Sequence, residues 1–369
     1  KESFLPFSLT VASEGGTSTI YYEDWREVNG IKVPFRYRQT EPDPTNNALV
    51  QQQSIQLNTT IAATSFMRPE PATPDYRFTN RRNFSRMRLD RVDNAIFVQA
   101  RINNSPFLWF ILDTGASVTV IDARRARALG LKSAGKVGAS GAGGSSEVQF
   151  TKGVTFTLPG VKLMNQTVAS VPFRKEIAGV KRNLGGILGY DFISRFVLEI
   201  DFLKKTLTLH DSKNYEYKGA GKRVPITIDG TPFIQAQVKV NGNEPVSGRF
   251  EIDTGYDSAL MLYRPFVMAH PILQPSATSD PNTRQGMGHS TRSVRARVES
   301  FAFGGFSFRN VVADFPLGEE GTQGSKDVAG LIGNEILRRF KVIFDYSRKE
   351  MILEPNVHLS DRFPVNAPR

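Results

Sequence analysis

An Asp-Thr-Gly triplet occurs twice in this chain, each time directly after an apolar run: FILDTGASVTVID spans residues 110–122 and FEIDTGYDSALML spans 250–262. Such runs read as buried strands, and a carboxylate at the end of a buried strand is costly unless something pairs with it or uses it. A single triplet would turn up by chance about once in ten chains of this size. Two copies in matching settings constrain the fold far more.

The settings match on both sides. AIFVQARINNSPFLWFIL leads into Asp113 and PFIQAQVKVNGNEPVSGRFEI into Asp253, each a strand, an Asn-containing turn and a second strand. Downstream, GGILGYDFISRFVLEIDF holds Gly189 and AGLIGNEILRRFKVIFDY holds Gly333, an apolar-apolar-Gly step followed by Arg-Phe and another strand. Each glycine follows its acid by about 80 residues and the acids lie about 140 apart, so one unit is used twice. Two lobes are expected, over residues 77–218 and 219–369, preceded by a β-strand region at 1–76.

These residues resemble the pepsin/retropepsin group of aspartic proteases in its bacterial single-chain, two-lobed form, over about residues 78–355. The resemblance implies an all-β fold of two pseudo-symmetric β-barrel lobes, each carrying one acid on a turn at the lobe interface. It implies Asp113 and Asp253 as the catalytic pair, Thr114 and Thr254 as cross-braces between the loops, and Gly115 and Gly255 as points of close backbone approach. Hydrolysing an amide without a nucleophilic side chain or a metal needs a base for the water and an acid for the carbonyl. Two carboxylates in contact supply both, because they hold one proton between them. The implied activity is that of an aspartic endopeptidase acting on peptides or unfolded protein, with no cofactor, no metal, and one chain sufficient. Two other readings stand beside it: a catalytically silent double barrel that holds peptides, and a lipid or lipoprotein carrier led by residues 1–76.

Between each acid and its downstream glycine lies a second glycine-rich stretch. Gly141, Gly143 and Gly144 in the first lobe and Gly286, Met287 and Gly288 in the second fall where this family places a flap over bound peptide. The near equality of the two segments favours the two-flap manner of retropepsins. The first stretch lacks the flanking strand, helix and lysine of a phosphate loop. After Asp-Thr-Gly, pepsins place a Ser or Thr that donates to the carboxylate; here Ala116 and Tyr256 stand instead. Fewer donors to the charged form predict raised dyad pKa values and a working pH nearer neutral. Phe107, Trp109 and Met287 are candidates for an apolar cleft.

The remaining composition excludes more than it assigns. The chain has no cysteine, which removes disulfides, thiolate nucleophiles and cysteine zinc sites. His210, His270, His289 and His358 show no metal-binding spacing. The net charge of +11 raises the question of nucleic acid or an anionic membrane surface. Its basic clusters, at Arg81–Arg88, Arg124–Arg127 and Arg292–Arg297, do not interleave with aromatics as a single-strand binding platform would, so solvated surface is expected and no nucleic-acid partner, with membrane-surface proximity left open. No apolar stretch reaches the length of a membrane span. A periplasmic or secreted location is expected, and relatives of this type often continue into a PDZ domain.

Residues 122–131 read as a short helix with Asp122 as N-cap and Gly130 as stop. Within 1–76, IYYEDWREVNGIKVPFRYRQTEP reads as a hairpin turning at Asn29-Gly30, and QQQSIQLNTTIAATSFMRP as a further strand. This pattern is similar to the closing strands of a curved lipoprotein-carrier-like sheet. An extension packed on the lobes and a lipid-binding remnant both fit it. A linker rich in Pro, Thr and Arg is expected over 69–83.

Overall fold

The computed structural model describes residues 4–13, 16–41, 44, 47–62, 65, 74–141, 144–173, 183–240, 242–270, 282–285, 290–318 and 321–364. Two six-stranded barrels dominate it, as the doubled sequence unit implies. In the first, Gly144–Leu158 pairs with Val161–Val171, then Val120–Asp122, Leu184–Leu188, Leu108–Leu112 and Ala95–Ile102, which pairs back onto Gly144–Leu158 and closes the ring. In the second, Pro232–Lys239 pairs with Val246–Ile252, Gly330–Ile332, Leu260–Leu262, Phe306–Pro316 and Ser290–Phe303, which returns to Pro232–Lys239. The order of pairing is the same in both.

The pleat decides which side chains fill the barrels. Along Leu108–Leu112 burial alternates, with Phe110 and Leu112 inside; along Val246–Ile252, Phe250 and Ile252 do the same. Each such fully buried phenylalanine contributes about 1.5–3 kcal/mol relative to exposure. Trp109, Ile111, Arg249 and Glu251 therefore lie on the opposite faces of their strands, the faces that continue into Asp113 and Asp253.

A third sheet, which the sequence reading did not separate from the lobes, ties them together. Phe196–Asp201 of the first lobe pairs antiparallel with Phe340–Asp345 of the second, and Thr206–Asp211, Phe84–Arg88, Glu350–Pro355 and Lys222–Pro225 extend it to six strands. Its two hairpins turn alike: Lys205 and Lys349 take positive φ of 53°, with Asp201 and Asp345 accepting the backbone N–H of Lys204 and Arg348. In both, the left-handed residue lies four positions after an Asp whose side chain caps the turn.

The expected helix is present as Ala123–Ala128, capped by Asp122, whose side chain accepts from the Arg124 N–H, with Gly130 beyond it at φ 66°. At the N-terminus, Ser8–Ser13, Gly16–Val28, Ile31–Thr40 and Ala48–Gln51 form a separate antiparallel meander whose hairpin turns at Asn29 and Gly30 (φ 50° and 80°). No strand pairing joins it to the barrels among the described residues. The further strand read from residue 51 onward stops at Gln51; no strand is assigned among the described residues from 52 to 62. The expected linker ends earlier than read, because Tyr76–Phe78 already pairs with the Val161–Val171 strand and the Asp75 carboxylate takes the Arg195 guanidinium at 2.6 Å. No helix among the described residues is long and apolar enough to cross a membrane.

Candidate active site

Each Asp-Thr-Gly leaves the end of a barrel strand as a tight turn, and the two turns meet. Thr114 and Thr254 are both fully buried and exchange hydrogen bonds across the interface. The Thr114 N–H donates to Thr254 Oγ1 and the Thr254 N–H to Thr114 Oγ1, both at 3.0 Å. The Thr114 hydroxyl then donates to the Ile252 carbonyl at 2.6 Å and the Thr254 hydroxyl to the Leu112 carbonyl at 2.8 Å. The expected cross-brace is therefore complete and reciprocal. No shorter side chain offers both a donor and an acceptor here except serine.

The glycines explain how near the acids come. A Cβ on Gly115 would stand 2.7 Å from the Asp253 carboxyl carbon, and one on Gly255 would stand 2.5 Å from that of Asp113. Each acid is thus seated against the other lobe's turn, and the two carboxyls hydrogen-bond to one another. Behind the turns, the main chain of Gly189 and Gly333 passes so close to the carbonyls of Val118 and Ser258 that a Cβ would sit 2.5 and 2.4 Å from them. This is the physical content of the apolar-apolar-Gly step.

The carboxyls are not equivalent. Asp113 Oδ1 accepts two backbone N–H groups, from Gly115 at 2.9 Å and Ala116 at 3.0 Å. Asp253 Oδ1 accepts only that of Gly255, at 2.7 Å, while the Tyr256 N–H turns to the Asp253 main-chain carbonyl at 3.3 Å. Burial raises the pKa of both acids. For Asp113, the hydrogen bond from Asp253 and the two N–H donors oppose that rise. For Asp253, the charge of Asp113 and then that of Glu251 add to it, so its carboxyl lies well above the usual range. The surroundings therefore favour the charged form more at Asp113 than at Asp253.

Tyr256 occupies neither the gap nor the role of a carboxylate donor. It is 7% exposed, packs with Met261, Tyr263 and Leu331, and donates its hydroxyl to Asp314. Asp314, itself buried, also accepts from Arg295 Nε at 2.8 Å. Arg295 is therefore held in a buried network, against the expectation that its cluster is plain solvated surface. A second network braces the turn of the second lobe: the Asn334 amide donates to the Thr254 and Asn94 carbonyls, and the Asn94 amide to the Asp257 carbonyl and Glu335 Oε2. Neither network was read from sequence, since hydrogen-bonding partners 58 and 240 residues apart leave no local signal.

Of the flap candidates, Gly141 and Gly144 face each other at the tip of a hairpin formed by Gly135–Gly141 and Gly144–Leu158. This hairpin lies against the short 3-10 turn Gly321–Gly324 of the second lobe, so it crosses from one lobe towards the other. Gly143, Gly286, Met287 and Gly288 lie outside the described residues, although Asn282–Gln285 pairs with the start of Ser290–Phe303 at the corresponding place. Trp109 is on the face leading to Asp113, whereas Phe107 sits at the strand's far end under the Arg101 guanidinium, 4.4 Å from its ring centre. His210 stacks between Phe84 and Tyr215, His270 lies against Phe266, and His358 contacts Asp361; His289 is outside the described residues.

Residues 98–192 match the model of the aspartyl protease family. Among solved structures, the chain is similar to an aspartic proteinase from Irpex lacteus, with 14% identity and a TM-score of 0.49 over 75% of this chain and 99% of that one. No curated protein matches its sequence. The stretch that carries Asp113 thus matches the aspartyl protease family, within a fold of two six-stranded barrels.

Proposed function

We propose that this protein is an endopeptidase that hydrolyses peptide bonds with a water held between Asp113 and Asp253. The observation that carries the reading is the pairing of two carboxyls from separate lobes, each seated against the other's glycine. In the resting pair Asp113, with its two N–H donors, is the base, and Asp253 is the acid. Asp113 takes a proton from the water as its oxygen attacks the carbonyl carbon, and Asp253 gives its proton to the carbonyl oxygen. The roles then reverse: Asp113 passes its proton to the departing amine and Asp253 recovers one from the tetrahedral hydroxyl. The threonine brace keeps both carboxyls in place without drawing on their lone pairs. The paired strands Gly135–Gly141 and Gly144–Leu158 in one lobe, and Asn282–Gln285 and Ser290–Phe303 in the other, act as flaps over an extended peptide.

The test is cleavage of a reduced, unfolded protein, with and without a pepstatin-type inhibitor, by the wild type and by Asp113→Asn and Asp253→Asn. Cleavage that the inhibitor blocks and either substitution abolishes is the expected result. Binding without cleavage would mark a peptide-holding barrel instead. Copurified lipid with indifference to both substitutions would mark a carrier.

A further inference from the structure

The strands that deliver the two acids differ in what they place beside them. Two and four residues before Asp113 stand Ile111 and Trp109; two and four before Asp253 stand Glu251 and Arg249. In both strands these residues share the outward face with the acid, because the intervening Phe110, Leu112, Phe250 and Ile252 point into the barrels. The first lobe therefore brings an apolar side to the dyad and the second brings a carboxylate.

Among the described residues, no cation is dedicated to that carboxylate. Arg249 is turned to Asp229 at 3.3 Å and lies flat over Phe233, 3.8 Å from its ring centre. Thr231 hydrogen-bonds Glu251, and Phe233 and Leu331, its cross-strand neighbours, are apolar. The turn that holds Thr231 reaches the first lobe, since a Cβ on Gly230 would lie 3.6 Å from that of Ser117. Glu251 is thus half-buried between the dyad and the edge of the interface. The charged groups facing it are Asp113 and Asp253 from the two turns, and Arg249 and Asp229 from its own strand and the adjacent turn.

We infer that Glu251 sets substrate preference: the second-lobe side of the scissile bond accepts a lysine or arginine, while Ile111 and Trp109 on the first-lobe side accept an apolar residue. The inference rests on the endopeptidase reading of the same site. A cationic side chain would neutralise the third negative charge beside the dyad in a partly desolvated place, where a charge pair is worth more than at the surface. Burial, with the charge of Asp113, pushes the Glu251 carboxyl up to about 7. The preference should therefore strengthen as pH rises through that value, because the ionised form then prevails without a bound cation.

The experiment compares kcat/KM for two peptides that differ only in carrying Lys or Leu on one side of an apolar residue, in both orders, for the wild type, Glu251→Gln, Glu251→Asp and Glu251→Lys. Expected are cleavage with the basic residue on one consistent side of the bond and a Lys:Leu ratio that falls about tenfold in Glu251→Gln, the scale of one specific contact. Glu251→Asp should restore part of the ratio, and Glu251→Lys should shift it towards a Glu-containing peptide. Wild-type cleavage with no Lys preference, or a ratio unchanged by Glu251→Gln, would overturn the inference while leaving the endopeptidase reading intact. If neither peptide is cleaved, binding to Asp113→Asn protein decides: tighter Lys-peptide binding that Glu251→Gln removes supports the role of Glu251 although the catalytic reading has failed, and equal binding overturns both.

Discussion

The two Asp-Thr-Gly turns are nearly superposable in their bonding up to the glycine and diverge at the next residue. In the first lobe Ala116 leaves its N–H free to join that of Gly115 on the Asp113 carboxylate. In the second, Tyr256 sends its ring towards Asp314 and its N–H to a main-chain carbonyl, so the Asp253 carboxyl loses one donor. Two residues upstream, Ile111 is matched by Glu251, whose charge adds to that loss. A doubled fold thus builds a symmetric brace from its threonines and an unsymmetrical acid pair from its flanking residues. The symmetry serves position, and the departure from it makes the two carboxyls unequal.

The largest effects should come from breaking the pair itself. Asp113→Asn and Asp253→Asn should each reduce peptide hydrolysis by roughly 10²–10⁴-fold, the range for removing a positioned acid or base. Gly115→Ala and Gly255→Ala insert a methyl where the opposing carboxyl stands and should lower kcat/KM by about 100-fold, as displacements near 1 Å do. Steady-state kinetics on one peptide would rank all four. If Gly→Ala in either turn is silent, the carboxyls are not seated against the opposing glycine.

Thr114→Ala and Thr254→Ala test the symmetric part. Each removes a hydroxyl that donates once and accepts once while leaving buried partners unpaired, so chemical denaturation should show losses of about 2–4 kcal/mol, alike for both. A marked inequality would mean that one lobe bears the brace alone.

Asp253→Asn sharpens the unsymmetrical part through stability rather than rate. An acid whose folded pKa is raised is favourable below its unfolded value near 3.8 and increasingly unfavourable as pH climbs from there towards the folded value. Removing the charge should therefore stabilise the protein near neutral pH and give no gain below pH 3.8, as urea denaturation at the two pH values would show. The same substitution at Asp113, whose N–H donors favour the charged form, should give less. Smallest is Tyr256→Phe, expected to cost about 1 kcal/mol by removing one donor from buried Asp314 while Arg295 continues to pair with it.

Much of this was legible in the residues. The apolar runs before Asp113 and Asp253, the doubled triplet and the glycines 189 and 333 are local patterns, and the family resemblance they carry implied the barrels, the threonine brace and the meeting of the two acids. The sheet joining the lobes was not legible, because FVLEID and FKVIFD read as strands without saying that they pair with each other. Tyr256 was legible as a departure, but its direction depends on Asp314, which no pattern links to it. Glu251 did carry a signal: it is a charge in FEID at the position where FILD has Ile111.

The proposed hydrolysis depends most on one proton shared between Asp113 and Asp253. Carbon-13 labelling of the aspartate carboxyls, followed by NMR titration of the wild type and of Asp113→Asn, measures it directly. Expected is one dyad carboxyl still protonated well above pH 4, with a coupled second step that vanishes in the substituted protein. Two carboxyls ionising independently near the ordinary aspartate value would contradict it.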